Sequence, residues 1–322
     1  MKTMNKRTLL ALTAASAMAF TAAGAQAQEW PNDTVTLVVP FTPGGSNDII
    51  ARYLAQELSD SMGQSVIVEN RAGAGGSIGA AYVAAAEADG YTFLFTSGSI
   101  ATSAAVREVP FDVTTDFAGV SRVATAPFVI VTREDLGASN VEELVGMAKE
   151  QPGELFYGSA GIGDSSHMAT ALFEQAAGIE MELTPYQGIA PAQVDLAGGR
   201  LDLIITTVAS LTGSPAEGLP RLAYTTEERM ESAPDMPTVM ESGIDYSTEV
   251  WWGVFAPAAT DDAIVDTMNA AIETALEDEA FKTFIADAGA QATPSSPAAL
   301  TETLLDDYAQ WTTIVETLGI GD

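Results

Sequence analysis

The feature of this sequence that most constrains its fold is a regular alternation of short apolar runs with segments of helical periodicity. Residues 34–41 (TVTLVVPF) are mostly apolar, which is typical of a strand buried on both faces of a parallel sheet. Apolar side chains then recur at helical spacing, at Ile50, Leu54 and Leu58. The candidate N-caps of this helix are Ser46, Asn47 and Asp48. This first stretch therefore predicts a strand followed by a helix.

The same alternation continues to the end of the chain. Further apolar runs predict strands over residues 65–69, 92–96, 128–132, 155–159, 181–186, 201–205, 221–224 and 250–255. Helical periodicity predicts helices over residues 78–86, 141–149, 165–177, 192–196, 263–276, 279–288 and 297–318, the second of them opened by a capping box at residues 139–142. Repeated strand–helix units predict parallel sheets covered by helices on both faces, with enough strands for two sheets. The predicted fold class is α/β with two lobes.

The first 27 residues have the pattern of a cleaved secretory signal. Lys2, Lys6 and Arg7 form a basic segment, a short Ala-rich apolar run follows, and residues 25–27 (AQA) match a signal-peptidase site. The apolar run is shorter than the ~20 residues that a membrane-spanning helix needs. We therefore predict a signal peptide over residues 1–27 and a periplasmic protein without a lipid anchor, since the chain has no Cys. The alternative is an uncleaved anchor.

Composition argues against several functional classes. The absence of cysteine excludes disulfides, thiolate catalysis and thiolate zinc sites. The single histidine, His167, excludes a His-based metal cluster and argues against a Ser-His-Asp hydrolase. The formal net charge of −31 at pH 7 repels nucleic acid and anionic membrane surfaces. We expect no metal, no cofactor, no catalytic residues and no nucleic-acid partner.

The acidic residues are scattered along the chain and do not form one block. A scattered acidic surface keeps a protein soluble and hydrated at high salt, where its self-repulsion is screened. The composition therefore favours a surface of the halophilic type, and the alternative is an acidic patch that binds cations.

Two glycine-containing loops each follow a predicted strand and precede a helix, which is where open α/β sheets bind ligands. In residues 42–48 (TPGGSND), adjacent glycines allow close approach of the backbone, and the next helix offers free N–H groups to a carboxylate or phosphate. The same residues also fit a tight capped turn, and the loop alone does not decide between the two. Residues 158–167 (GSAGIGDSSH) have the same position in the second half and are able to hold the far end of a small anion.

Three other motifs do not predict catalysis or nucleotide binding. Residues 70–77 (NRAGAGGS) lack both the third glycine of a dinucleotide site and the lysine of a P-loop. The Gly-x-Ser-x-Gly match at residues 75–79 lies too far from the preceding strand for a nucleophile elbow. His167 is only a sequence neighbour of Asp164 and Ser166, so we expect it to stabilise its loop or to hydrogen-bond a ligand.

Seven motifs together resemble the periplasmic substrate-binding proteins of tripartite tricarboxylate transporters, also known as the Bug family, over about residues 30–320. The motifs are VVPFTPGGSND at 38–48, VENRAGAGGSIGA at 68–80, ADGYTFLFTS at 88–97, GSAGIGDSSHMA at 158–169, YQGIAPAQVDLAGGRLD at 186–202, PDMPTVMESG at 234–243 and WWGVFAPA at 251–258.

The resemblance implies a flytrap of two α/β lobes that are joined by two crossing strands as the hinge. We expect the crossings at residues 128–132 and 250–255. The first lobe would then comprise residues 28–127 plus 250–322, and the second lobe residues 128–249. The resemblance further implies a monomer that delivers a small carboxylate to a two-component membrane permease.

Family members hold a carboxylate through main-chain groups and ordered waters between loops of both lobes. Matched onto this chain, the resemblance implies as ligand-binding residues Thr42, Gly44, Gly45, Asp48, Ser97, Ser159, Gly163, Asp164, Ser166, His167, Tyr186, Gly188, Ala190 and Thr207. The loop at 206–209 and the acidic pair at 227–228 depart from the pattern of relatives, which weakens transfer of ligand identity and of surface contacts.

Two other functional classes stay open at this point. An enzyme acting on periplasmic carboxylates would need a base and a second converging group, for which His167 with Asp48 or Ser77 is the plausible pairing. A sensory binder that presents its ligand to a membrane kinase would have the same sequence pattern. The sequence does not name the ligand, because main-chain recognition leaves little trace in the side chains.

Overall fold

Strands and helices alternate through the structure, a computed structural model that describes residues 30–320. The predicted signal peptide lies outside the described residues. The strands are β1 (Val35–Val39), β2 (Val66–Asn70), β3 (Thr92–Ser97), β4 (Phe117–Pro127), β5 (Val129–Thr132), β6 (Phe156–Ser159), β7 (Glu182–Pro185), β8 (Leu203–Thr206), β9 (Arg221–Tyr224), β10 (Glu249–Pro257) and β11 (Gln291–Ala292). The helices are α1 (Ser46–Met62), α2 (Ser77–Ala84), α3 (Ser99–Val106), α4 (Val141–Glu150), α5 (Ser165–Ala177), α6 (Ile189–Ala197), α7 (Val208–Leu211), α8 (Asp262–Glu277), α9 (Glu279–Asp287) and α10 (Pro297–Leu318).

These strands form two sheets, which confirms the α/β class with two lobes. The first sheet has the order β11-β4-β10-β3-β1-β2 and the second the order β7-β6-β8-β5-β9. The sequence predicts parallel sheets, but both sheets are mixed. Strand β10 runs antiparallel to β3 and β4, and β5 runs antiparallel to β8 and β9. The antiparallel strands are those at which the chain passes between the sheets, since a strand that enters from the other lobe is not preceded by a crossover helix.

The chain passes from the first sheet to the second through a single residue, Phe128, between β4 and β5. It returns into β10, where Glu249 pairs with Pro127 at the end of β4, one residue before the expected lobe boundary. The two passages are tied by the buried Thr225, whose N–H donates to the carbonyl of Phe128 and whose hydroxyl donates to the carbonyl of Thr248. The expected crossing strands therefore each lie within one sheet, and the crossings lie at their ends.

Four elements, β4, β11, α3 and α7, were not predicted from the sequence, and β4 and α3 are the longer two. Strand β4 carries Gly119, Ser121 and Arg122 among its apolar residues, and its polar groups are bonded by a distant segment: the Arg122 N–H donates to the Ser295 hydroxyl and the Gly119 N–H to that of Thr301. Helix α3 has small residues in place of a periodic apolar stripe. Tertiary contacts, which local pattern does not record, stabilise both elements.

Two predicted helix caps differ in detail. Helix α1 has Gly45 as its N-cap, and none of the three candidate side chains caps it. At α4 the cap is Asn140, whose side chain accepts the N–H of Glu143, while the Glu143 carboxylate accepts from Ser139. The reciprocal capping pattern is thus present, shifted by one residue from the expected Ser139–Glu142 pair.

Each sheet has its own hydrophobic core. Val38, Leu94 and Phe255 are fully buried in the first core, and Val129 and Ile204 are fully buried in the second. None of the helices within residues 30–320 is both long and apolar enough to cross a membrane. The two cores hold the strand ends, and therefore the loops that follow them, in fixed positions.

Candidate functional site

One cavity lies where strands of both sheets end. The strands β1, β3, β6 and β8 end beside it, and β10 passes along it. The space free of protein atoms is about 430 Å³, including some open solvent, and the positions open to the centre of a water molecule fill about 40 Å³. Since one buried water needs about 10–15 Å³ of such positions, the cavity has room for a few waters or one small solute. Its lining residues are Phe41, Gly45, Ser46, Asn47, Ser97, Ser99, Phe128, Ala160, Asp164, Ser165, Ser166, Ile189, Thr206, Thr207, Val250 and Trp252.

The N-terminus of helix α1 meets this cavity without a side-chain cap. Its N-cap is Gly45, and Ser46 and Asn47 are its first two residues. The first N–H groups of a helix have no partner inside the helix, and within residues 30–320 those of Ser46 and Asn47 have none elsewhere. The positive end of the helix dipole adds to these donors. An anion in the cavity therefore meets free backbone N–H groups at this helix end.

Helix α5 begins on the second-lobe side of the cavity and is capped by its own carboxylate. The Asp164 side chain accepts the N–H groups of Ser166 and His167, at 2.9 and 3.1 Å, and the Ser166 hydroxyl at 2.8 Å. Burial raises the pKa of Asp164 to about 6, although these hydrogen bonds favour the charged form. Because the N-terminus of α5 already has a carboxylate, α1 is, of these two helix ends, the one that is free for an anion.

His167 stabilises the loop before α5 and does not line the cavity. Its Nδ1 accepts the N–H of Gly163 at 3.1 Å, and the residue is buried. Burial and, second, the positive charge of Arg107 lower the pKa of His167 to about 4. The imidazole is therefore neutral at physiological pH.

Three buried polar atoms on the cavity-lining residues have no hydrogen-bond partner among the described residues. They are Asn47 Oδ1, Thr207 Oγ1 and Trp252 Nε1. Buried polar groups in folded proteins are nearly always bonded to protein or water. Three orphaned groups around one space indicate that something polar occupies it.

A chain of hydroxyl groups crosses the cavity wall from one lobe to the other. The Ser97 and Ser99 hydroxyls lie 2.8 Å apart, and the Ser99 and Ser165 hydroxyls lie 3.0 Å apart. The N–H of Ser165 also donates to the Ser99 hydroxyl at 3.1 Å. These bonds connect the loop after β3 to the start of α5, so they hold the lobes together beside the cavity.

Glycines allow the two lobes to touch. A Cβ on Gly75 would lie 2.3 Å from the carbonyl oxygen of Ile162, and one on Gly188 would lie 2.2 Å from the Thr42 hydroxyl. The N–H of Thr42 donates across the same contact to the carbonyl of Gln187 at 3.1 Å. The structure is therefore that of the closed arrangement of the lobes.

The structure brings five of the expected ligand-binding residues to the cavity. They are Gly45, Ser97, Asp164, Ser166 and Thr207. Four others lie in pairs at the contact between the lobes, where Thr42 faces Gly188 and Gly44 faces Ala190. Gly163 is also at this contact, where its carbonyl accepts the Thr102 hydroxyl at 2.6 Å.

The remaining expected residues support the loops. Asp48 accepts from the N–H of Gly44 and the side chain of Asn70, and it pairs with Arg52. Ser159 bonds to the backbone of Gly161, and the Tyr186 hydroxyl donates to Asp195. His167 bonds to Gly163 as described above. Direct ligand contact stays a prediction for all fourteen residues.

The sequence interpretation missed several lining residues. The sequence pattern predicts Ser46 and Asn47 only as candidate helix caps and Trp252 only as part of a strand, yet all three line the cavity. Ser99 is the first residue of α3 and lies just after a predicted strand end, and that position was a signal available in the sequence. Which side chains face the cavity depends on the residue at which a helix starts and on which face of its sheet a strand residue lies, and the sequence pattern specifies neither.

The cavity has no positively charged side chain. Among its lining residues none is Lys or Arg, and one, Asp164, is acidic. Recognition of an anion here depends on backbone N–H groups, hydroxyls and the indole N–H. Nor does any group of three or more His, Asp or Glu side chains within residues 30–320 suit a metal ion.

Comparison with known proteins gives one consistent family. A family model described as the tripartite tricarboxylate transporter family receptor matches residues 50–320. The protein BugT of Bordetella pertussis is 34% identical over 322 residues, covering 98% of this chain and 99% of BugT. A UPF0065 protein from Pseudomonas sp. strain P51 is 35% identical over 306 residues, covering 93% of this chain and 91% of the relative.

Solved structures agree with this result. The periplasmic binding protein BugD has a TM-score of 0.87 at 31% identity, covering 91% of this chain and 99% of BugD. Rpa4515 of R. palustris, solved with adipate, has a TM-score of 0.87 at 35% identity with the same coverage. MatC of Rhodopseudomonas palustris, solved with malate, has a TM-score of 0.84 at 27% identity, covering 89% of this chain and all of that chain.

Proposed function

The chain belongs to the tripartite tricarboxylate transporter receptor family, whose members are solute-binding proteins and not enzymes, and from this premise we propose what it captures and where. It captures a small organic acid between its two lobes in the periplasm and delivers the acid to the membrane permease of its transporter. The proposed lobes comprise residues 28–127 plus 250–322 and residues 128–249, and residues 1–27 are the proposed export signal.

The observation that carries this proposal is the uncapped N-terminus of α1 inside the cavity. The N–H groups of Ser46 and Asn47 and the positive end of the helix dipole form a site for one carboxylate. Among the other helices that start at the cavity, α5 already has the Asp164 carboxylate on its N–H groups. We assign a ligand carboxylate to α1 and not to α5, and no Lys or Arg is needed.

The relatives support an organic acid as the ligand. The structures of Rpa4515 and MatC contain adipate and malate, which are both dicarboxylates. The small volume of the cavity and its apolar wall of Phe41, Phe128 and Ile189 suit a compact carbon chain with polar ends.

Closure of the lobes accounts for capture. The Ser99–Ser165 bonds and the Thr42–Gln187 bond connect the lobes around the cavity, so they form only when the lobes have closed. A ligand that contacts residues of both lobes adds free energy to the closed state alone and shifts the population towards it. The permease then receives a form that differs from the empty one.

The test removes one backbone donor from α1. Ser46 is the first residue of the helix, a position at which proline is tolerated, and Gly45 before it has the extended backbone (φ −88°, ψ 169°) that a following proline requires. Ser46→Pro deletes the N–H, whereas Ser46→Ala deletes only the hydroxyl. Asp262→Pro, at the first residue of α8 and exposed, is the matched control far from the cavity.

Isothermal titration with adipate, malate, succinate and glutarate measures the effect. A hydrogen bond to a charged group contributes about 1.5–3 kcal/mol, so Ser46→Pro is expected to weaken binding by about 10-fold or more. Ser46→Ala should change it less, and Asp262→Pro should not change it. Unchanged affinity in a folded Ser46→Pro protein would place the carboxylate elsewhere, and a wild-type protein that binds none of the acids would refute the proposed ligand class.

A further inference from the structure

Trp252 is fully buried and its indole N–H has no partner among the described residues. The residue lies in β10, where its backbone pairs with Ser97 of β3 and Ala124 of β4. An indole N–H is a donor only, and tryptophan N–H groups usually find a partner when buried. The missing partner of Trp252 is therefore a hydrogen-bond acceptor.

The neighbouring Trp251 shows how a satisfied indole is arranged in the same strand. Its Nε1 donates to the Asp307 carboxylate at 2.6 Å, on the opposite face of the sheet. Successive side chains of a strand alternate between its faces, so Trp251 packs in the first core while Trp252 lines the cavity. The strand thus has two adjacent indoles, one bonded within the protein and one left to the cavity.

A second orphaned group lines the same cavity from the other lobe. Thr207 is buried, its hydroxyl has no partner among the described residues, and it is the N-cap of the short helix α7 after β8. A hydroxyl donates or accepts as required. A ligand in the cavity therefore meets an indole N–H without a partner from one lobe and a hydroxyl without a partner from the other.

These groups belong to a different part of the chain from the α1 carboxylate site. Ser46 and Asn47 follow β1, whereas Trp252 and Thr207 belong to β10 and to the end of β8. The cavity lining therefore has two sets of donors, the backbone N–H groups of α1 and the side chains of Trp252 and Thr207. A monocarboxylate with an apolar tail would bond to the first set and leave the second unpaired.

We propose that Trp252 is a specificity-determining residue, which donates its indole N–H to a second acceptor on the bound acid. The protein then selects acids that carry, besides the α1-bound carboxylate, another carboxylate, hydroxyl or carbonyl group, and it discriminates against monocarboxylates with an apolar tail. This inference rests on the proposed function of capturing organic acids. It adds the chemical class of ligand that the cavity accepts and the residue that enforces it.

The physical reason for discrimination is the orphaned donor. A site built to bond a polar group rejects an analogue that lacks the group strongly, because its buried donor is then left unpaired. The expected preference for an acid with the second acceptor is about 10-fold or more over its matched monocarboxylate.

The experiment compares matched acids on the wild type and two tryptophan variants by isothermal titration. Adipate is paired with hexanoate and succinate with butyrate, so that each pair shares its carbon chain and differs in one carboxylate replaced by a methyl group. Trp252→Phe keeps an aromatic wall and removes the N–H. Trp251→Phe makes the same chemical change outside the cavity and is the matched control.

The expected result has three parts. Wild type and Trp251→Phe bind the diacid of at least one pair about 10-fold or more tightly than its monoacid. Trp252→Phe loses most of that preference, because its affinity for the diacid falls while its affinity for the monoacid changes little. Malate, which adds a hydroxyl to succinate, then reports whether a neutral acceptor is also accepted.

Several outcomes overturn the proposal. If Trp252→Phe loses affinity equally for the diacid and the monoacid of a pair, the ring packs against the ligand but does not donate to it. If the preference for the diacid is unchanged, a retained water is the partner of the indole N–H. Should Trp252→Phe fail to fold, wild-type protein that binds hexanoate as tightly as adipate and butyrate as tightly as succinate still refutes it. A wild-type protein that binds no acid refutes the proposed function, a distinct result.

Discussion

Replacement of His167 by asparagine should change how the free energy of unfolding depends on pH: relative to wild type, the variant should gain stability as the pH falls. His167 is 6% exposed and its pKa is lowered from 6.5 to about 4, first by burial and then by the positive charge of Arg107. The folded protein therefore keeps the imidazole neutral at pH values at which the unfolded chain protonates it. The stability associated with the neutral imidazole is fully present above pH 6.5 and is lost as the pH falls from 6.5 towards 4.

The magnitude follows from the two pKa values. At about 1.4 kcal/mol per pH unit, the difference between 6.5 and about 4 corresponds to about 3 kcal/mol of stability. Asp164 has the opposite dependence: its pKa is raised from 3.8 to about 6, so burial of its charge costs stability above pH 6, and this cost disappears as the pH falls towards 3.8. The two contributions nearly cancel in the wild type, and His167→Asn should leave that of Asp164 uncompensated.

Urea denaturation of wild type and His167→Asn at several pH values between 4 and 7.5 measures the difference in unfolding free energy. The amide oxygen of asparagine is attached to Cγ, as Nδ1 of histidine is, so the variant keeps an acceptor for the Gly163 N–H. The variant should be less stable than wild type at pH 7.5 and gain about 3 kcal/mol relative to it by pH 4. A difference that does not change with pH would refute a buried neutral imidazole.

Two further predictions concern closure and encounter. Gly75→Ala should weaken acid binding by about 10-fold or more, because its Cβ would lie 2.3 Å from the Ile162 carbonyl oxygen in the closed state. Gly63→Ala is the control, since Gly63 has a similar positive φ but open space around it, and it should bind normally. Small-angle scattering with saturating acid should show compaction in the control only, and compaction in both variants would refute the steric argument. The association rate of a dicarboxylate should rise with NaCl concentration, because the net charge of −31 repels the ligand. This repulsion acts over a Debye length of about 30 Å at 0.01 M salt but only about 3 Å at 1 M. Stopped-flow tryptophan fluorescence measures the association rate, and a rate that falls with salt would indicate that local basic residues attract the ligand.

The sequence by itself determined the fold class and the family. Strand and helix periodicities are local properties, so runs such as residues 34–41 and 165–177 predicted β1 and α5 within a few residues. The loops after β1 and β6 were identified as candidate ligand-binding loops for the same reason, since a loop between a strand end and a helix start has a fixed place in an α/β sheet. Family motifs are contiguous as well and needed no knowledge of packing.

Only the tertiary structure decided which residues of those loops face the cavity. Ser99 and Ser165 lie 66 residues apart and are bonded directly, and Gly188, one of the expected ligand-binding residues, lies where the lobes touch. Trp252, in a predicted strand, lines the cavity with an unpaired donor, while Trp251 beside it is bonded to Asp307. Such facts depend on which side chains from distant segments meet after both lobes have packed, because burial and hydrogen-bond pairing are properties of contacts and not of a single stretch of sequence.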